Sequence, residues 1–259
     1  MCMVRRLMGV NLLESTGIED MDKILGGGLP RPSTIGLLGP LGSGKSILSR
    51  EIAANMLKAG NAVNVYAIDQ SADEIKHSLR SMDVNVEKYE EEGTLFFMDI
   101  FSRGVEKMKE SYTKFEPGSS VLQSGLQFSD LIEMGREFTL KNLKKKQLGL
   151  MDSITPLFLM SDVKEVFHYC QTLKYATRFA NAIGIAVHHT GVLEQKLENA
   201  LFGFADGIIE LEKSSDISGG QIYGNLKVIR MLNQKFLRGK FYYEVKNDRF
   251  NVSAVAGIV

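Results

Sequence analysis

Cysteine is scarce in this 259-residue chain: only Cys2 and Cys170 occur, with no metal-ligand spacing and no disulfide framework. That scarcity points to a reducing, intracellular setting. Charge of one sign is not in excess, because Lys+Arg and Asp+Glu both number 31. A chain-wide electrostatic grip on nucleic acid is therefore not expected, although a local basic patch stays open. No apolar run approaches the ~18 residues that a membrane span needs, so no transmembrane segment is expected. The N-terminal MCMVRRLMGVNLLE carries two arginines before a mostly apolar stretch. Asn11 and Glu14 interrupt that stretch and no small-residue cleavage site follows, so it does not read as a signal peptide. These absences together indicate a cytoplasmic protein. Internal repeats and low-complexity linkers are also missing.

What is present is ordinary globular composition, 44% hydrophobic and 24% charged. Folding a chain of this size buries on the order of 70–75% of its unfolded surface, enough for a core without staples. A single domain over residues 1–259 is expected. Short apolar strands alternate with amphipathic helices. Strands are predicted at 33–39, 62–69, 94–100, 148–152, 183–190 and 206–212. Helices are predicted near 45–58, 130–145 and 161–181, the last with Val163, Val166, Phe167, Cys170, Leu173, Thr177 and Ala180 as an inward stripe. Two capping-box spacings, Thr16/Glu19 and Ser71/Glu74, open further helices, the first stopping at Gly26. Residues 102–125, with mixed charge, Pro117 and a Gly-Ser-Ser run from Gly118, read as an irregular insertion. After residue 212 strand-like segments follow with no helix between them, which predicts antiparallel hairpins. The fold class is α/β: a mostly parallel twisted sheet flanked by helices, with antiparallel C-terminal edge strands.

Residues 39–46 read GPLGSGKS, the phosphate-binding pattern of Gly, four residues and Gly-Lys-Ser. Gly39, Gly42 and Gly44 permit backbone angles that a Cβ would block. Successive N–H groups of the loop that holds Pro40, Leu41 and Ser43, proline itself having none, can then face phosphate oxygens, aided by the N-terminal end of the following helix. Lys45 can reach the β- and γ-phosphates and Ser46 can place its hydroxyl on Mg²⁺. The motif sits between a predicted strand and a predicted helix, and ATP with Mg²⁺ is the expected ligand. A carboxylate at a neighbouring strand end is needed for the magnesium water shell. Asp152, ending LGLMD, is the first candidate and Asp99, ending LFFMD, the second.

STGIEDMDKILGGGLP, GPLGSGKS, MDSITPLF and the C-terminal strands occur in the order seen in KaiC-like proteins, members of the RecA-like branch of phosphate-loop ATPases. The chain resembles that family from about Ser15 to Val252, least between Ser102 and Gln127. GGGLPRPS also resembles the archaeal flagellar ATPase FlaH, a KaiC-like relative. The resemblance implies a RecA-type sheet, ATP binding, a magnesium-supporting role for Asp152, and a homo-oligomer, most often a hexameric ring formed with ATP. The family usually carries paired glutamates after the strand that follows the phosphate-loop helix, and at least one helps activate water. Here Asp69 and Gln70 stand in those places. The family's late-strand Lys-x-Arg, which reaches the γ-phosphate of the neighbouring subunit, becomes Arg230 and Leu232. Weak turnover follows from both departures. On one strand Arg230 and Leu232 should face the same way.

His188 and His189 are adjacent on a strand and point to opposite faces, so they cannot chelate one metal together. Either they are structural or one senses the γ-phosphate. His77 and His168 lie on helices at half-exposed positions. KNLKKK at 141–146 reads as a solvated helix end, and EKYEEE at 87–92 as a solvated face. The stretch HTGVLEQKLENALFGFAD is more acidic than basic, which argues against dense phosphate contact with DNA. The expected function is a KaiC-like ATP-binding protein whose nucleotide state controls oligomer or partner binding, with slow Mg-dependent hydrolysis. A FlaH-like scaffold of an archaeal motor complex and a recombinase paralogue acting on DNA are the alternatives. A protein partner is expected beside the homo-oligomer.

Overall fold

A computed structural model describes residues 12–113, 128–214 and 222–256. Residues 1–11 of the N-terminal stretch and the Gly-Ser-Ser run from Gly118 lie outside them. The described chain opens with a small antiparallel ribbon, β1 (Leu12–Glu14) and β2 (Leu29–Arg31), which brackets α1 (Glu19–Ile24). The expected Thr16/Glu19 capping box does not form. Ile18 is the N-cap and offers no side-chain acceptor. Thr16 instead donates from its N–H and hydroxyl to Asp22 Oδ1 at 2.8 and 2.7 Å, because Gly17, at φ +75°, turns the chain away from a box geometry. Gly26, at φ +76°, follows the end of the helix as predicted.

The body alternates as the periodicity requires. β3 (Ser33–Gly39), α2 (Lys45–Lys58), β4 (Ala62–Ala67), α3 (Ala72–Ser81), α4 (Val86–Glu91) and β5 (Leu95–Asp99) form the first half. Ser71 caps α3 in a complete box with Glu74. α5 (Ile100–Thr113) and α6 (Phe128–Lys141) follow, so the region read as irregular begins with a helix. Asp99 starts it by accepting from the Ser102 N–H at 2.8 Å, a local N-terminal signal that outweighs the mixed charge. Then come β6 (Gln147–Met151), α7 (Thr155–Met160), α8 (Val163–Phe179), β7 (Ile183–His189), α9 (Gln195–Phe204) and β8 (Gly207–Lys213). The antiparallel end is β9 (Ile222–Met231), β10 (Phe241–Lys246) and β11 (Arg249–Ala256). β1, β2, α4, α7, α9 and β11 were not anticipated. The first three are short, and the acidic run expected as a solvated face is α4, which buries only Val86.

The main sheet runs β11-β10-β9-β8-β3-β7-β6-β4-β5, parallel from β8 to β5 and antiparallel from β8 to β11. Both faces are covered. Ile35, Leu37, Val63, Val65, Leu150 and Ile185 pack towards α2, and Tyr66, Met98 and Met151 towards α6 to α9. The C-terminal strands curl back over α1 and α2, where Tyr243 and Phe250 stack with centroids 4.9 Å apart. Among the described residues no helix is long and apolar enough to cross a membrane.

Candidate functional site

The parallel strands deliver their C-terminal ends to one crevice, where open α/β sheets hold ligands. β3 ends at Gly39, opposite His189 of β7. Asp152 follows β6, and Asp69 follows β4 by two residues. Between β3 and β6 lies only β7.

Residues 40–44 turn from β3 into α2. Gly39, Gly42 and Gly44 all have positive φ, at +152°, +70° and +84°. Gly44, in the left-handed region, is the N-cap of α2 and supplies no side chain to bond its first N–H groups. Those donors point out of the helix end, with the helix dipole behind them. Lys45 is 3% exposed, and its Nζ donates to Pro40 O at 2.6 Å and to Ser43 Oγ at 3.3 Å. Burial pushes its ammonium down to about 8, and the Asp69 carboxylate nearby opposes that. The ammonium therefore lies folded onto the loop it would serve, held by neutral oxygens. The uncapped N–H groups at the start of α2, a buried cation and a strand-end carboxylate form a set that fits a magnesium-bound polyphosphate.

The Asp152 carboxylate accepts from the N–H groups of Ile68 (2.8 Å), Asp69 (3.3 Å), Gln70 (3.2 Å) and Ser153 (2.8 Å). Burial still pushes it up to about 6, against those bonds and the charge of Arg50. Asp152 thus ties the end of β6 to the turn that carries Asp69 and Gln70. Asp99, the second magnesium candidate, lies on the edge strand β5. Its oxygens accept from Ser102 and from the Ala72 N–H, which makes it a helix cap.

Asp69 Oδ2 lies 3.3 Å from His189 Nε2. Burial, then Lys45, hold the His189 imidazole below its usual range, although Asp69 pulls the other way. Gln70 is engaged through its carbonyl by the Arg50 guanidinium, from the second turn of α2. His188 points to the other face, as adjacent strand residues must, and is 1% exposed. Its Nδ1 lies 3.0 Å from Thr155 Oγ1 and its Nε2 3.2 Å from Glu198. Burial lowers its pKa below the ordinary 6.5, although Glu198 pulls the other way. Below that value the unfolded chain takes up a proton that the folded chain resists, so stability falls as pH drops through 6.5 and below. His188→Gln keeps a donor towards Glu198 but does not titrate. It is expected to cost about 1 kcal/mol at pH 7.5 and to flatten the decline of Tm between pH 7.5 and 5. An unchanged slope would remove His188 as the cause.

The C-terminal edge contributes more to this loop than its spacing foretold. Tyr243 donates its hydroxyl to Ser43 O at 2.8 Å, and a Cβ on Gly44 would come within 2.9 Å of Val245. A Cβ on Gly42 would lie 3.3 Å from the Nζ of Lys213, at the exposed end of β8. Arg50, Lys213 and Tyr243 border the candidate site, and sequence reasoning missed them. Arg50 has the helical spacing of an ordinary surface residue, and the other two come from strands whose neighbours only the sheet order reveals. Arg230 is used within its own chain: its guanidinium donates to Phe202 O at 2.8 Å and to Ala205 O. A register shift at Ile208/Ile209 opposite leaves Ile229 unpaired, and β9 ends at Met231. Leu232 therefore follows the strand, and its N–H still donates to Asp206 O at 3.0 Å.

Comparison with known proteins agrees with this arrangement. The family described as ATPase: KaiC matches residues 14–255. A UPF0273 protein of Pyrococcus furiosus is 32% identical over 157 residues, 61% of this chain and 58% of that protein. One from Methanopyrus kandleri is 26% identical over 242 residues, 92% of this chain and 90% of that protein. The crystal structure of a KaiC-like protein from Pyrococcus horikoshii superposes with a TM-score of 0.72 at 16% identity, covering 94% of this chain and 99% of that one. That likeness establishes the fold, and the match across nearly the whole described sequence establishes the lineage: the chain belongs to the KaiC ATPase family, on the RecA-like branch of the phosphate-loop ATPases.

Proposed function

We propose that the chain binds Mg·ATP at Gly39–Ser46 and uses the state of that nucleotide to control its assembly with copies of itself or with a protein partner, hydrolysing ATP slowly. The observation that carries this reading is the β4–α3 turn. The loop beside it has the parts needed to hold phosphates, but the turn offers only Asp69 for water activation, and Arg50 holds the neighbouring Gln70. Ser46 and Asp152 are the residues that would hold magnesium, directly and through water, and a bound magnesium would neutralise charge on the β- and γ-phosphates. Asp69 would take the proton of the attacking water, with His189 Nε2, 3.3 Å away, to orient the carboxylate. Asp69 is one methylene shorter than glutamate, so its reach to that water is short.

Purified protein is expected to turn over at least a hundredfold more slowly than the enzyme median of about 10 per second. Asp69→Asn should lower this residual rate by only about tenfold, less than the ~10²–10⁴ of an optimised base. Light scattering across a concentration series, alongside phosphate release, tests both halves of the reading. A non-hydrolysable ATP analogue should support a ring-sized oligomer and ADP should support it less. Turnover at the typical rate without a partner would refute slow hydrolysis. Particles of one size in both nucleotides would refute nucleotide-controlled self-assembly. Arg230→Ala belongs in the same series, because Arg230 can meet a neighbour's γ-phosphate only by leaving the carbonyls of Phe202 and Ala205.

A further inference from the structure

The two faces of the sheet are not filled alike. Across four parallel strands one register row reads Thr34 on β3, Gly184 on β7, Gly149 on β6 and Asn64 on β4. All four point towards α6 and α8. At Gly184, and at Gly36 one row on, a Cβ would make ordinary contacts, with Thr177 Oγ1 at 3.4 Å on the first and the Ala205 Cβ at 3.6 Å on the second. Gly149 has no such neighbour, since a Cβ there would meet nothing within 4 Å. Over it lies a cavity of about 150 Å³, walled by Tyr66, Phe138, Met151, Cys170 and Leu173 among others.

The lining is largely apolar, and of its polar side chains Thr34, Gln147, Lys174, Thr177 and His188 are hydrogen-bonded within the protein, unlike the amide oxygen of Asn64 beside Gly149. Asn64 is 4% exposed, lines the cavity, and its Oδ1 has no hydrogen-bond partner among the described residues. A buried acceptor left unpaired is costly, and apolar walls without contacts forfeit dispersion. Water would satisfy the amide but not the walls, and a hydrocarbon the walls but not the amide. We infer that this cavity binds a small apolar molecule bearing a single hydrogen-bond donor, a ligand of phenol's size and chemistry, with its donor on Asn64 Oδ1 and its ring over Gly149. Roughly 150 Å³ is the size of apolar cavity that accepts a benzene ring. The site lies on the opposite face of the sheet from α2 and does not depend on the nucleotide reading.

Phenol and benzene, which differ by the donor, are the probes. Each is titrated into the full chain while the methyl resonances of Ala186 and Met151, both in the lining, are followed. Phenol should shift them saturably and bind about 2- to 12-fold more tightly than benzene, the factor that one net hydrogen bond corresponds to. Asn64→Leu should abolish that preference while benzene still binds. Gly149→Ala places a methyl in the open space and should weaken both probes. It should keep or raise Tm, because alanine restricts the unfolded chain, so loss of binding there is not loss of fold. Phenol that shifts neither methyl up to its solubility limit would overturn the proposal. So would a preference for phenol that survives Asn64→Leu, or binding that Gly149→Ala leaves unchanged.

Discussion

Lys45→Ala is expected to remove measurable Mg·ATP binding while leaving the fold intact. The ammonium is enclosed by the loop, 2.6 Å from Pro40 O and 3.3 Å from Ser43 Oγ. Phosphate oxygens would replace those neutral partners with charged ones in a site where the cation has already lost most of its water. One charge-assisted bond is worth about 1.5–3 kcal/mol. Contacts to both the β- and γ-phosphates would then amount to roughly two such bonds, a loss of about 10²-fold or more in affinity. The fold should survive because alanine is the best helix former and Lys45 is the first residue of α2. Calorimetry with a non-hydrolysable analogue measures the loss, and a thermal melt checks the fold. Lys213→Ala is the companion. Its ammonium lies beside Gly42 but is exposed, so solvent and salt screen it. It should weaken binding by less than about tenfold, with a milder salt dependence than wild type. Equal affinities for wild type and Lys45→Ala would remove the loop from the site.

The contrast between these two lysines shows what a sequence exposes. Lys45 was legible because everything that defines it is local: glycines at fixed offsets, a strand before and a helix after. β3, α2 and the Ser71/Glu74 box were readable for the same reason, since period, cap and stop lie within a few residues of one another. Lys213 and Tyr243 were not readable. They reach the loop because β8 pairs in parallel with β3 and because the last strands curl over α2, contacts between residues far apart in the chain. The Thr16 box failed by a smaller margin. The right residue types stood at the right spacing, but Gly17 turned the chain and Asp22 took the hydroxyl. Arg230 was legible as a late-strand arginine, but its partners, the carbonyls of Phe202 and Ala205 at the end of α9, are brought beside β9 only by the fold.

Asp152 carries two duties that one substitution would expose together. In Asp152→Ala the N–H groups of Ile68, Asp69, Gln70 and Ser153 lose their acceptor. Unsatisfied buried donors cost about 1–3 kcal/mol each, and the four share one carboxylate, so the total is not a sum. Release of a negative charge that burial disfavours offsets part of it. A net loss of about 3 kcal/mol is expected, a fall of roughly 6–12 °C in Tm for a chain of this size. The second duty concerns the metal. If Asp152 supports the magnesium water shell, wild type should bind the ATP analogue more tightly with Mg²⁺ than without, and the variant should bind it equally in both. Asp99→Ala separates the readings. That carboxylate caps α5, so its loss should cost about 1 kcal/mol and leave the magnesium dependence untouched. Denaturation measures the first duty and calorimetry with and without Mg²⁺ the second. A destabilised Asp152→Ala that keeps its magnesium dependence would make Asp152 a brace for the β4–α3 turn and no part of the metal site. Loss of that dependence in Asp99→Ala would move the metal to the edge of the sheet.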